Sequence, residues 1–278
     1  MQPLSPKFAL KQLLSVILIT TGRSTTRAAK LVVARPVVQL AAKQAAALIC
    51  GLLCACSALA IELAPLARPS GSEPAAPWHV VGLPEKYAKP VTAFDITSLD
   101  GKRVLRVKAE SAYGNLVHPW SGPVGSIRFK WRLDVPLLKA NIKAKGSEDI
   151  ALKVCLSFAM PADKIPAGER LLFKLAQLSS PEPLPTATLC YIWDHNQPIG
   201  SELNSPYTKR VRYIVLNSGE DQLKTWQEHQ RNVGADFLKS FGEETIVIPQ
   251  VTAIIIGADS DNTADVSLGY VADITASP

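Results

Sequence analysis

Ile254-Ile255-Ile256-Gly257-Ala258-Asp259-Ser260-Asp261-Asn262-Thr263, followed by Val266-Ser267-Leu268-Gly269-Tyr270-Val271-Ala272-Asp273-Ile274, is the stretch that decides the fold. A β-branched apolar run enters a tight acidic turn, and an alternating segment leaves it. Two strands joined by an oxygen-rich loop have this pattern.

The same period recurs upstream. Ile127, Phe129, Trp131 and Leu133 alternate with Arg128, Lys130, Arg132 and Asp134, and Val135 extends the apolar set, so 126–135 is a strand with one dry face. Asp149 to Phe158 alternates again, with Ile150, Leu152, Val154, Leu156 and Phe158 inward and Lys153 and Cys155 opposite. Val91–Thr97 and Lys102–Ala109 flank Asp100-Gly101, a hairpin signal. Thr188 to Trp193 is apolar on both faces and belongs in mid-sheet; Lys209–Leu216 is a further strand. Leu171–Leu178 suits a strand or a helical turn. The one helical segment expected is 221–241, where Val233, Phe237 and Phe241 recur every fourth residue before a capping Gly242. Without any βαβ alternation, these elements predict an all-β, mainly antiparallel, two-sheet jelly-roll-like sandwich over 91–278.

The first sixty residues differ in kind. They hold seven Lys or Arg and no Asp or Glu, with apolar runs at 8–20 and 45–56, and Ala58-Leu59-Ala60 offers a small-x-small cleavage pattern. This ordering predicts a secretory leader and a periplasmic or secreted protein. Lipidation at Cys56, or anchoring by residues 8–20, are the alternatives. Of the chain's 30 basic residues 23 lie beyond the leader, against all 24 acidic ones, so the overall +6 belongs to the leader. That near-neutral remainder gives no footprint for nucleic acid, and no run in it is long enough to span a membrane. Residues 61–90, rich in Pro, Ala and Ser at 64–77, read as a tether and irregular lead-in. Cys155 and Cys190 are the only cysteines after the leader, candidates for a disulfide or for two buried thiols.

Four strings, Trp131-Arg132-Leu133-Asp134, Leu189-Cys190-Tyr191-Ile192-Trp193, the Arg231-Asn232-Val233 to Phe241-Gly242 segment, and Asp259 to Thr263, together resemble a bacterial family of exported proteins known as domain of unknown function 3047. The resemblance runs from about Val91 to Ile274. It implies export and a single β-rich domain and supplies no activity.

Candidate chemistry is spread along the chain. Asp259, Asp261 and Asp265 stand at alternate positions of the acidic turn, oxygen donors suited to a structural calcium, or simply turn formers. Asp95 and Asp273, on the first and last strands, are an alternative cation pair. Asp134, Glu148 and Asp149 lie at strand ends, the carboxylates available to a polysaccharide hydrolase or lyase. Arg231 and Asp236 read as a surface ion pair or cap. Trp120, Tyr191, Trp193, Tyr207 and Trp226 exceed what a core requires. Asn115, His118, Trp120, Trp193, Asp194, His195 and Asn196 mix rings with polar groups as sugar sites do. The expected function is non-catalytic binding of a glycan or envelope ligand. A hydrolase or lyase and a purely structural envelope protein are the rivals.

Overall fold

The computed structural model describes residues 62–84, 87–178 and 184–278; the segment read as a leader, with its expected cleavage site, Cys56 and the alternative anchor at 8–20, lies outside them. Among the described residues, twelve strands form two sheets. The large sheet has the order β1 (His79–Val81), β4 (Tyr113–Gly122), β11 (Val251–Asp259), β6 (Ile150–Phe158), β7 (Ala187–Asp194), β9 (Val211–Ser218), β8 (Glu202–Asn204). The small sheet runs β10 (Gln227–Asn232), β5 (Ser126–Val135), β12 (Val266–Ser277), β3 (Lys102–Glu110), β2 (Ala93–Leu99). All pairings are antiparallel except β7 with β9. The sheets pack face to face in a jelly-roll-like sandwich, and the acidic turn carries the chain from one sheet to the other between β11 and β12.

The period-two segments set the core. Ile127, Phe129, Trp131 and Leu133 of β5 are fully buried against Leu152, Val154 and Leu156 of β6, Leu189 and Tyr191 of β7, and Ile254 and Ile256 of β11. Val135 does not extend the buried set and is 38% exposed at the strand end. Asp100 and Gly101 both take positive φ, 53° and 75°, and join β2 to β3 in the two-residue turn that the right-handed twist of a hairpin favours.

The large sheet is dry on both faces, which explains why β6 and β7 are buried along their whole length. Its outer face carries a second apolar cluster including Val117, Cys155, Cys190, Ile192, Tyr213 and Ile255, into which Ile142 of the 139–147 connection inserts. Ile150 belongs to this outer cluster and not to the inner core, because the β11–β6 register shifts between Gly257 and Asp259. Cys155 and Cys190 pair across β6 and β7 within the cluster and are disulfide-bonded.

There are two α-helices among the described residues. α1 (Ala167–Leu178) resolves the strand-or-turn segment as helix, and α2 (Val233–Phe241) buries Val233, Phe237 and Phe241. The expected helix over 221–241 is therefore too long at its start. Gln227–Asn232 instead pairs with β5 as an edge strand. Gly242 caps α2 in right-handed geometry; a side chain there would collide with the Leu238 carbonyl. Arg231 and Asp236 form a two-pronged pair at 2.9 and 2.6 Å, but not on the surface: Asp236 is buried and also accepts the Tyr191 hydroxyl at 2.8 Å. Buried Arg210 holds Glu244 at 2.7 and 2.5 Å behind α2.

Leu63, Leu66 and Trp78, from the segment read as tether and lead-in, are buried in the main core cluster. The Trp78 indole donates to the Ala64 carbonyl at 2.9 Å, and the Ala64 amide donates to His118 Nε2 at 3.1 Å. No helix among the described residues is long and apolar enough to cross a membrane.

Candidate functional site

Two regions gather chemistry, one on the outer face of each sheet. The first is a buried acidic centre at the end of β11. Asp259 closes that strand, Asp261 follows in the turn, and Asp149 stands just before β6; one carboxylate oxygen from each lies within 4.8 Å of the others, and all three residues are buried. Asp149 is stitched to the turn. It accepts the Asn262 amide at 3.2 Å, and the Thr263 amide and hydroxyl at 2.7 and 2.6 Å. Lys153 reaches Asp259 Oδ1 at 2.6 Å by crossing over Gly257, where a Cβ would fall 2.8 Å from the lysine's Cε and collide with Asn115 Oδ1. Only glycine leaves that passage open. Asp259 Oδ2 has no hydrogen-bond partner among the described residues.

Glu148 sits beside this centre, fully buried, accepting Ser205 Oγ at 2.9 Å and the Tyr213 hydroxyl at 2.5 Å. Burial pushes its carboxyl up to about 8, against the lowering effect of the Tyr213 hydrogen bond. Burial likewise raises Asp259 to about 6, with Lys153 opposing and the charges of Asp149 and Asp261 adding to the rise.

Of the expected cation ligands, Asp259 and Asp261 come together. Asp265 does not join them: it accepts the Val266 amide, while its backbone ties Ser111 and Ser260. Asp149 takes the third place. Asp95 and Asp273 do not form a pair. β3 lies between their strands, β2 and β12, and each aspartate holds its own cation, Arg106 for Asp95 at 2.9 Å and Lys130 for Asp273 at 3.0 Å. Asp134 is held by Arg132 at 2.7 Å on the small sheet, on the opposite layer from Glu148 and Asp149.

The expected sugar-contacting set is dispersed. Asn115, His118 and Trp120 lie on β4, whereas Trp193 and Asp194 lie on β7, with β11 and β6 between them. Trp120 and Trp193 are 5% and 1% exposed, members of the main core and not open platforms. Asn115 donates to the Tyr113 hydroxyl, and His118 is held neutral between Ala64 and Pro119, its pKa lowered chiefly by burial. Asp194 Oδ1 accepts the Asn196 and Gln197 amides at 2.8 and 2.6 Å, and Asn196 donates to Ala140. Trp193, Asp194 and His195 border a cavity of about 10 Å³, room for one water and no sugar.

The second region is open. On the outer face of the small sheet, half-buried Trp226 packs on Val104, Tyr270 and Ala272 and donates its indole N–H to Asp100 at 3.1 Å. Trp226, Leu99, Asp100, Lys102, Lys130 and Asp273 border a groove of about 290 Å³, near the lower end of ligand pockets. Sequence alone ranks Trp226 with the other aromatics. Its distinguishing signal is its setting in a polar segment, Asp221 to Asn232, that provides no apolar alternation to bury it.

Fold and sites define a jelly-roll-like β-sandwich with a sealed acidic centre on one outer face and an open aromatic groove on the other. The chain belongs to the family described as Protein of unknown function (DUF3047), matched over residues 76–275. No curated protein matches it. Among solved structures it is similar to the xyloglucanase domain of the type three effector NopAA of Sinorhizobium fredii, in complex with cellobiose; that likeness has 10% identity, covers 76% of this chain and 99% of that one, and has a TM-score of 0.38. Endoglucanase 3 of Trichoderma harzianum, from family GH12, gives 11% identity, 74% and 99% coverage and a TM-score of 0.35. TmCBM61 in complex with β-1,4-galactotriose gives 10%, 73% and 88%, and 0.30.

Proposed function

We propose that this protein is an exported, non-catalytic β-sandwich that binds a glycan or a related envelope ligand on the outer face of the small sheet. The observation that carries the reading is Trp226, a large amphipathic ring fixed by Asp100 beside a groove framed by Lys102, Lys130 and Asp273. An indole offers an apolar face to a sugar ring, while neighbouring carboxylate and ammonium groups can meet its hydroxyls. Fixing the indole beforehand lowers the entropic cost of binding. The leader pattern and the Cys155–Cys190 bond support export to an oxidising compartment, periplasmic or extracellular.

Catalysis through the expected carboxylates is disfavoured by access. Glu148 and Asp149 are 0% and 1% exposed, beyond the reach of a polysaccharide, and Asp134 is occupied by Arg132. General acid–base work requires hydrogen-bond reach to the substrate.

The test is co-sedimentation of the purified full chain with peptidoglycan sacculi, together with affinity electrophoresis against a panel of soluble β-linked polysaccharides. Wild type should be retained by at least one of these, and Trp226→Ala should weaken that retention at least about tenfold, the equivalent of ~1.4 kcal/mol, while still melting cooperatively as a folded chain. Equal retention of the variant, or no retention of wild type by any of these glycans, would overturn the proposal.

A further inference from the structure

We infer that Asp149, Asp259 and Asp261 form a buried binding site for a divalent cation of the calcium class, clamping the acidic turn to the start of β6. The inference is independent of the glycan reading.

Three carboxylates with oxygens within 4.8 Å of one another are buried where the central strands β11 and β6 of the large sheet end and begin. Like charges at such distances repel strongly in a medium less polarisable than water. Lys153 occupies only Asp259 Oδ1, and the half-exposed Lys89 lies 3.7 Å from Asp261 Oδ2. Asp259 Oδ2 is buried and accepts no hydrogen bond from the described residues, while Asp259 itself is 0% exposed. A buried carboxylate oxygen with no donor is costly unless something outside the hydrogen-bond inventory satisfies it.

The donor set selects the ion. It is all oxygen, which suits hard cations and not zinc or copper. Asp149 is already oriented by the Asn262 and Thr263 donors: its Oδ2 accepts both Thr263 donors, whereas Oδ1 accepts only the Asn262 amide and retains a lone pair for metal. Mg²⁺ keeps much of its water shell, and these enclosed residues leave little space for it; Ca²⁺ accepts irregular carboxylate cages. The rival is a proton shared among the carboxylates with no metal bound.

Full-length protein stripped with EGTA at neutral pH would be tested by equilibrium dialysis with elemental analysis and by thermal melting in Ca²⁺ or Mg²⁺. The expected result is one Ca²⁺ per chain. Melting should rise by several degrees in millimolar Ca²⁺ and much less in Mg²⁺, because a ligand of the folded state alone stabilises it. Asp261→Asn should lose ion uptake, and Asp265→Asn, outside the cluster, should keep it. Absence of Ca²⁺ uptake by the folded wild type, with melting identical in EGTA and in Ca²⁺, would overturn the inference. Loss of uptake in folded Asp265→Asn with retention in Asp261→Asn would overturn the ligand set. An Asp261→Asn chain that fails to fold leaves the wild-type stoichiometry as the deciding measurement.

Discussion

The outer faces of the two sheets carry similar charged residue types and treat them in opposite ways. On the small sheet, Lys130 meets Asp273 at 3.0 Å with both side chains substantially exposed. On the large sheet, Lys153 meets Asp259 at 2.6 Å with side-chain exposures of 5% and 0%. Water screens the first pair and leaves its surroundings open for a ligand. Enclosure removes water from the second, so each charge there depends on its partner. The difference teaches that a Lys–Asp pair has no intrinsic worth; enclosure decides whether it is a surface decoration or a structural and ion-binding device.

The largest expected effect breaks the comparison directly. In chelator, Lys153→Ala should destabilise the fold by about 3–5 kcal/mol, because it strands a buried carboxylate. Lys130→Ala should cost no more than about 1 kcal/mol. Urea midpoints at a constant m-value measure both. Equal costs would mean that the large sheet's outer face is as wet as the small one's.

A smaller effect sharpens it through pH. Glu148, on the enclosed face, keeps its proton up to about 8 when folded, whereas an unfolded glutamate releases it near ~4.3. Its stabilising contribution is therefore complete below the unfolded value and is lost as pH rises towards 8; Asp259, raised to about 6, acts with the same sign. His229 of β10 lies inward between Phe129 and Trp131 and donates to Asn217 Oδ1. Burial and the Arg231 charge lower it to about 4. Its contribution is present above the unfolded value of ~6.5 and is lost as pH falls through 4. Melting in chelator should decline on both sides, with Glu148→Gln flattening the alkaline limb and His229→Gln the acid limb. An alkaline limb unchanged by Glu148→Gln would show that Glu148 is not held protonated.

Local pattern made much of this architecture legible. The alternation from Ile127 to Leu133, the Asp100-Gly101 turn and the four-residue spacing of Val233, Phe237 and Phe241 each express geometry within a few residues. β10 was hidden because Gln227-Glu228-His229-Gln230-Arg231-Asn232 has no apolar alternation; an edge strand can be held by its ladder to β5 without it. α1 was ambiguous because a short apolar run fits either period. The acidic centre was half visible: the turn announces Asp259 and Asp261, but Asp149 comes from 110 residues earlier and meets them only once β6 lies beside β11. The aromatic site was misplaced for a related reason. Trp120 and Trp193 sit in segments apolar enough to be core, whereas Trp226 stands among polar residues. Exposure depends on which face is covered, and that is decided by packing between distant segments.

The claim that recognition belongs to the open face is tested most directly by the tryptophans. Trp78, Trp120, Trp131 and Trp193 are buried, and Trp226 alone of the five is half-exposed. Indole N–H resonances of the isotope-labelled full chain, assigned by single Trp→Phe variants, would be followed while a soluble glycan retained in the electrophoresis panel, or a solubilised peptidoglycan fragment, is titrated in. The account predicts that the Trp226 resonance shifts with saturation and that those of Trp120 and Trp193 stay in place. Saturable movement of Trp120 or Trp193 with Trp226 unmoved would contradict it.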